Sequence, residues 1–287
     1  MPFRTASSAH GDPERRLVAV DDRVGPRISV VVPARNEAAN LPYVLSALPP
    51  EVYEVILVDG RSTDETVAVA RQVRPDIRIV QQNRRGKGNA LACGFAAVRG
   101  DIIIMLDADG SADPAEIARY VDALRAGADF AKGTRFAQGG GSSDLTWLRT
   151  FGNKVLNLIV NVLFGTRYTD LCYGYNAFWT RCLPSLGLEP GVEEQDKKLW
   201  GDGFEIETII NTRIARGRLK VVEVPSFELE RIHGVSNLNT WRDGFRVLRA
   251  ALTERFRRRI RVEAPHGPHL VDLASLSEVA PAEVATA

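Results

Sequence analysis

The stretch Asp101-Ile-Ile-Ile-Met-Leu-Asp107-Ala-Asp109-Gly110 constrains the fold more than any other part of the chain. Its apolar run, Ile102 to Leu106, has the length of a strand. A strand that is apolar at every position is buried on both faces, as in the interior of a helix-covered parallel sheet. The run stops at two carboxylates one residue apart. In open sheets of this kind ligands bind beyond the carboxyl ends of the strands. Two acids on a tight turn there make a hard-oxygen site for a divalent cation. Asp-x-Asp-Gly is also a good turn former, so these residues alone leave ligand and turn open.

The flanking sequence repeats a strand–helix alternation. Ile28–Val32 is a first strand, closed by Pro33, which cannot donate to a ladder. A helix is expected from near Asn40-Leu41-Pro42, with Asn as cap and Pro in the first turn. Glu54–Val58 forms a second strand ending in Asp59-Gly60, and Ser62-Thr-Asp-Glu65 caps a helix over Thr66–Val73. A third strand spans Ile77–Val80. Arg84-Arg-Gly-Lys-Gly88 then opens a helix over Asn89–Val98. The Asp107 strand comes fourth, Asp113-Pro114 starts a helix reaching Arg125, and Ala128–Lys132 is a fifth strand before Gly133-Thr134-Arg135. This order implies an α/β, Rossmann-like fold with a mostly parallel central sheet flanked by helices.

The later chain is less regular. Gln138-Gly-Gly-Gly-Ser-Ser143 suits a lid or hinge. Trp147–Phe164 carries apolar residues at helical spacing, and Thr169–Trp179 reads as a loop leading into a strand. Glu189–Lys198 reads as a surface loop. Trp200–Glu205 precedes a helix through Arg216, and Leu219–Val224 is a strand. Arg231–Asn237 is a loop, and Trp241–Ile260 a long basic helix. Residues 1–25 read as a flexible lead-in and 263–287 as a disordered tail, which leaves 26–262 as a single folded domain.

Composition excludes several classes. A net charge of +1 gives no electrostatic ground for nucleic-acid binding. Cys93, Cys172 and Cys182 are scattered without metal-ligand spacing, which points to a reducing, cytoplasmic setting rather than a disulfide framework. No run reaches the roughly 18 apolar residues of a membrane span. The nearest, Val155–Phe164, is broken by Asn157 and Asn161. Neither the Gly-x-Gly-x-x-Gly of dinucleotide enzymes nor the Gly-x-x-x-x-Gly-Lys-Ser/Thr of P-loop proteins occurs.

Acids at successive strand ends, Glu37 near the first, then Asp59, Asp107 and Asp109, make an electronegative rim. A metal-bound diphosphate fits such a rim, its phosphates meeting Lys87, Arg135 or Arg149. Asp59 suits a ribose hydroxyl or base edge, or simply the turn before Gly60. A lysine placed like Lys87 is more often a solvated helix-start residue than a ligand. His233 stands alone in a polar loop with Arg231 and Ser236.

Taken together, Val31-Val-Pro-Ala-Arg-Asn-Glu37, Val58-Asp-Gly-Arg-Ser-Thr-Asp64, Gly86-Lys-Gly-Asn-Ala90, Leu106-Asp-Ala-Asp-Gly110, Lys132-Gly-Thr-Arg-Phe136, Phe204-Glu-Ile-Glu207 and Arg231-Ile-His-Gly-Val-Ser236 resemble the inverting family-2 glycosyltransferases of the GT-A fold. The similarity spans roughly residues 27 to 245 and is strongest to the dolichol-phosphate mannosyltransferase and polyprenyl-phosphate glycosyltransferase branch. The resemblance implies that Pro33, Ala34, Glu37 and Asp59 hold the nucleoside. It implies that Asp107 and Asp109 hold Mg or Mn on the diphosphate. Arg135 and Arg149 would meet an acceptor phosphate beside Asn153, and Arg231 and Ser236 would close over phosphates. Gly60 stands where the family often has a second acid, Arg61 where it has glycine, and Ser111 where the branch often has glutamine. His233 is therefore the candidate for completing the cation's shell.

The implied reaction moves a hexose, with inversion, from a nucleotide-diphosphate sugar of the GDP-mannose or UDP-glucose type to a polyprenyl monophosphate. Such an acceptor is already anionic near pH 7, because a phosphomonoester has its second pKa near about 6. A sugar-hydroxyl acceptor would need a base, and Asp202 is the candidate, although Asp202 also reads as a helix cap. A lipid acceptor implies peripheral contact with the inner face of a membrane, through the helix around Val155–Phe164 or the arginine-rich final helix. A nucleotidyltransferase is the competing class. It calls for a glycine-rich basic loop after the first strand, where this chain has Ala34-Arg-Asn-Glu37.

Overall fold

A computed structural model describes residues 25–191, 198–234 and 240–257, and side chains throughout these except at 240–243. The expected lead-in, most of the 189–198 loop, Ser236 and the expected tail lie outside the described residues, apart from Gly25 at the end of the lead-in. Pro26–Glu263 is one compact unit.

The strands are β1 (Ile28–Ala34), β2 (Val52–Asp59), β3 (Arg78–Gln81), β4 (Ile102–Met105), β5 (Phe130–Thr134), β6 (Gly141–Ser142), β7 (Asn176–Trp179), β8 (Val221–Pro225) and β9 (Phe227–Glu228). The helices are α1 (Leu41–Ser46), α2 (Thr66–Val73), α3 (Lys87–Ala97), α4 (Ile117–Arg125), α5 (Trp147–Phe164), α6 (Leu183–Leu186), α7 (Ile206–Arg216) and α8 (Thr240–Phe256). Seven strands form the central sheet in the order β3-β2-β1-β4-β7-β5-β8. All neighbours are parallel except around β7, which runs antiparallel to both β4 and β5. The expected mostly parallel α/β sheet is therefore what the chain forms. The insertion of β7 between the fourth and fifth strands has no counterpart in the sequence pattern.

The apolar strands are buried on both faces as the Ile102–Leu106 run requires. Val30, Val32, Ile102 and Ile104 pack with α1, α2 and α4 on one face. Val31, Ile103 and Met105 pack with α3, α6 and α7 on the other. A smaller cluster, Val160, Tyr168, Leu171, Val247 and Ala251, joins α5 to α8.

Several expected bounds shift by one or two residues, as at β3, β5 and β8, and two shifts have a clear physical cause. β1 does not stop at Pro33; Pro33 and Ala34 pair with Val58 and Asp59. Val31 accepts from Leu106 and Ala34 from Gly60, so the missing N–H of Pro33 faces the β4 side, where the ladder has ended. α3 begins at Lys87 rather than Asn89, because glycines let its first turn press on another segment. A Cβ on Gly86 would lie 1.9 Å from the Asp202 carbonyl, and one on Gly88 1.8 Å from that of Gly201. The Gly88 N–H donates to that Asp202 carbonyl at 2.9 Å.

Candidate functional site

A cavity of about 540 Å³ opens beyond the ends of β4 and β5, between α5, α7 and the segment Glu228–Gly234. The first turn of α3 delivers Lys87 into it. The Lys87 ammonium sits 2.7 and 2.9 Å from the two Asp107 oxygens and 2.8 Å from Glu207 Oε1. Burial alone would lower the lysine's pKa, but Asp107 and Glu207 outweigh it and raise it, so Lys87 stays charged. Burial pushes the Glu207 carboxyl up by more than Lys87 draws it down. Gly174 leaves room for this trio: a Cβ there would be 3.1 Å from Lys87 Nζ, 3.3 Å from Glu207 Oε1 and 3.4 Å from Asp107 Oδ2.

The second acid is held from the other side. Ser111 donates its N–H and hydroxyl to Asp109 Oδ1 at 3.0 and 2.7 Å. Arg231 bridges Asp109 Oδ2 at 2.9 Å and Glu37 Oε1 at 3.0 Å. The Arg231 strand of chain is strapped over the acid turn: Leu229 N donates to Ser111 O, Ile232 N to Asp109 O, and Ala112 bridges Glu228. Gly110, with φ +79°, admits the Ile232 side chain, which would meet a Cβ there at 2.5 Å.

A third cluster lies deeper. Arg135 is almost fully buried and donates to both Asp170 oxygens at 2.7 and 2.9 Å and to Glu228 at 2.9 Å. Its guanidinium stacks over Tyr173, 4.9 Å from the ring centre. Asp170 also accepts from the Arg135 N–H and from Asn153. Burial would raise the Asp170 carboxyl, but these donors and the Arg135 charge hold it below the ordinary carboxylate value. Arg149 lines the cavity nearer solvent, on Asp144 at 3.0 Å. Cys172 also lines the cavity and is exposed to it.

Sequence reasoning is corrected at several residues. Asp202 does not face the cavity. Its carboxylate is buried in a two-pronged pair with Arg84, at 2.8 and 3.0 Å, and accepts from Leu199 N at 2.7 Å. Buried at 3% exposure and absent from the cavity lining, it is turned away from a substrate. His233 does not join Asp107 and Asp109. Its backbone is clasped by Asn40 and its ring lies 5.9 Å from that of Tyr43. Among the described residues no cluster of three or more His, Cys, Asp or Glu forms a metal cage. Arg135 reaches the cavity, but two carboxylates engage it. Asp59 is buried, accepting from Ser62 N and Gln81, and it orients the turn in which Arg61 takes φ +60°. Glycine adopts that left-handed backbone without the steric cost an arginine bears. Pro33 and Ala34 end β1 beside this turn. Glu207, Asp170 and Glu228 carry much of the site's geometry, yet the sequence reading gave none of them a role. The only signal was Glu207's place in the Phe204-Glu-Ile-Glu207 segment.

Two carboxylates fit Mg or Mn, since such ions commonly take one or two protein carboxylates and complete their shell with water and phosphate oxygens. The charge balance agrees. Among the described residues, the ion pairs around the cavity set Lys87, Arg135, Arg149 and Arg231 against seven carboxylates, Glu37, Asp107, Asp109, Asp144, Asp170, Glu207 and Glu228.

An acid pair beyond the central strand of a sheet in this order, under a basic strap, defines a glycosyltransferase of the GT-A fold. The chain belongs to glycosyl transferase family 2, whose sequence profile matches residues 29–183. It is 33% identical over 224 residues to polyprenol monophosphomannose synthase of Mycolicibacterium smegmatis, covering 74% of this chain and 81% of that one. It is 30% identical over 222 residues to undecaprenyl-phosphate mannosyltransferase of Micrococcus luteus, covering 74% and 88%. Its backbone superposes on glucosyl-3-phosphoglycerate synthase of Mycobacterium tuberculosis, crystallised with Mn2+, UDP and glucosyl-3-phosphoglycerate. The TM-score is 0.61 at 24% identity, over 81% of each chain. The nucleotidyltransferase alternative is set aside by this family membership. Among the described residues no helix is long and apolar enough to cross a membrane.

Proposed function

We propose that the enzyme transfers a hexose, with inversion, from a nucleotide-diphosphate sugar to a polyprenyl monophosphate at the inner face of a membrane. The observation that carries this reading is the cavity itself, in which Asp107 and Asp109 stand under Lys87 and Arg231 while Arg149 lines the opposite wall. The names of the Mycolicibacterium and Micrococcus relatives support the acceptor class and a mannosyl donor. Asp107 and Asp109 would hold Mg or Mn, which when bound supplies Lewis-acid stabilisation of a leaving diphosphate.

The protein's own groups do the rest. Lys87, anchored by Glu207, presents an ammonium to the diphosphate oxygens, and Arg231 covers them from the strap. Pro33, Ala34, Glu37 and the Asp59 turn border the nucleoside. Arg149 takes the acceptor phosphate, its partner Asp144 being half exposed and easily exchanged. Arg135, with Asn153, fixes the wall behind that phosphate through Asp170. An acceptor phosphate attacks as an anion, so no base is required, in keeping with the engagement of Asp202 by Arg84.

Asp109→Ala tests the cation role: metal-dependent donor binding and transfer are lost while the melting temperature holds. Full transfer by that variant would sink the assignment. Arg149→Ala raises KM for polyprenyl phosphate far more than for donor; unchanged acceptor kinetics would point to a hydroxyl acceptor instead.

A further inference from the structure

A second cavity, of about 530 Å³, lies at the other end of α5, where the C-termini of α5, α7 and α8 converge. Its walls carry Arg216, Arg218, Arg255 and Arg257, and Leu163 and Phe164 supply apolar surface. Helix C-termini present partial negative charge, which arginines commonly offset. That accounts for Arg216, which donates to the carbonyls of Glu254 and Arg257. Arg257 pairs with Glu254 at 3.1 Å. Glu254 is fully buried and also carries Arg213. It is the only carboxylate paired to an arginine of this cavity among the described residues. The guanidinium groups of Arg218 and Arg255 meet no carboxylate or carbonyl among the described residues, so helix capping does not explain them. Arg218 even takes the left-handed backbone, φ +55°, that disfavours side chains.

An apolar stripe leads away from this cavity. On α5, Trp147, Phe151, Leu158 and Val162 recur at helical spacing and face solvent, Trp147 at 79% and Val162 at 75% exposure. On α8, Phe245, Leu252 and Phe256 do the same, Phe256 at 82%. The two helices are locked together by Val160, Val247 and Ala251. The stripe starts beside Arg149 and Asn153 in the catalytic cavity and ends at the arginines. Over the 18 residues of α5 that is about 27 Å, at about 1.5 Å per residue.

We propose that the arginine cavity binds the phosphate of an anionic membrane phospholipid, and that α5 lies along the bilayer surface between that lipid and the catalytic cavity. The charge complements a phosphodiester, Leu163 and Phe164 suit the glycerol and first methylenes, and the stripe gives the helix an apolar face to immerse. Two fixed points about 27 Å apart orient the catalytic mouth toward the interface. The purpose of this orientation rests on the polyprenyl-phosphate reading, but the binding does not.

The test is vesicle flotation of the full chain at low salt, with phosphatidylcholine alone and with phosphatidylcholine plus phosphatidylglycerol. Arg218→Gln combined with Arg255→Gln should weaken binding to the anionic vesicles about thirtyfold, the value for two basic residues at a charged surface. Binding to neutral vesicles and the melting temperature should not change. A charge-matched control, Arg71→Gln with Arg125→Gln, removes two exposed arginines from α2 and α4 and should bind as the parent does. Equal binding of parent and arginine-cavity variant would overturn the proposal, as would an equal loss in the control. Inorganic phosphate separates the sources: if it displaces the protein from anionic vesicles at concentrations that leave the control's salt response untouched, the site serves free phosphate and the lipid assignment fails. Transfer to polyprenyl phosphate in detergent should be the same for parent and variant. Absence of transfer in both would count against the acceptor reading alone.

Discussion

Replacing Asp202 by alanine separates a structural carboxylate from a catalytic one. The Arg84–Asp202 pair is buried, 9% and 4% exposed at the side chains, with two N–H···O contacts at 2.8 and 3.0 Å. The same carboxylate accepts from Leu199 N. Among the described residues, alanine would leave the Arg84 guanidinium in the interior with only the Pro190 carbonyl. Breaking one side of a buried pair costs about 3–5 kcal/mol, because the remaining charge is uncompensated. For a unit the size of Pro26–Glu263, at about 2–4 °C per kcal/mol, the melting temperature should fall by about 6–20 °C. Adding Arg84→Met should restore much of the loss, since the stranded charge is then gone. Differential scanning fluorimetry and urea titration of the two single variants and the double variant measure this directly. The double variant should retain transfer at a temperature where it is folded. A variant that melts with the parent but has lost transfer would refute the structural assignment and return Asp202 to the chemistry.

Gly174→Ala places a methyl against Lys87, Glu207 and Asp107 together, displacing the trio by tenths of an ångström; a loss in donor kcat/KM of about tenfold is expected, and unchanged donor kinetics would show that the trio is not in contact with donor. Asp170 has its folded pKa below the unfolded value, so its contribution to stability is complete above about pH 4 and is lost as pH falls through the folded value. Asp170→Asn should therefore be less stable than the parent at neutral pH and show a shallower decline in urea titrations below about pH 4; parallel acid limbs would contradict this. Arg231 competes with any cation for Asp109, so Arg231→Ala should bind Mn about two- to fivefold more tightly in the absence of nucleotide, the range for a partly exposed pair. Manganese EPR reads the affinity, and weaker binding would reverse the expected sign.

The alternation of strands and helices, the burial of Ile102–Met105 on both faces and the acid pair at its end were legible because they depend on near neighbours. A run of apolar residues has one comfortable environment, and Asp-x-Asp-Gly forms its turn wherever it sits. α2, Thr66–Val73, and α5, Trp147–Phe164, fall at the bounds read from the sequence. What the sequence could not convey are pairings between distant segments. Nothing local says that β7 slots antiparallel between β4 and β5, or that Asp202 spends its carboxylate on Arg84, 118 positions away. Glu207 and Asp170 look like ordinary acids in the chain; only the approach of α7 and of the loop after α5 gives them Lys87 and Arg135 as partners. Residue type and spacing determined that an acid pair on a tight turn lies at the end of the fourth strand. The tertiary structure decided which acids face a ligand: Asp107 and Asp109 line the cavity, whereas Asp202 is buried away from it against Arg84.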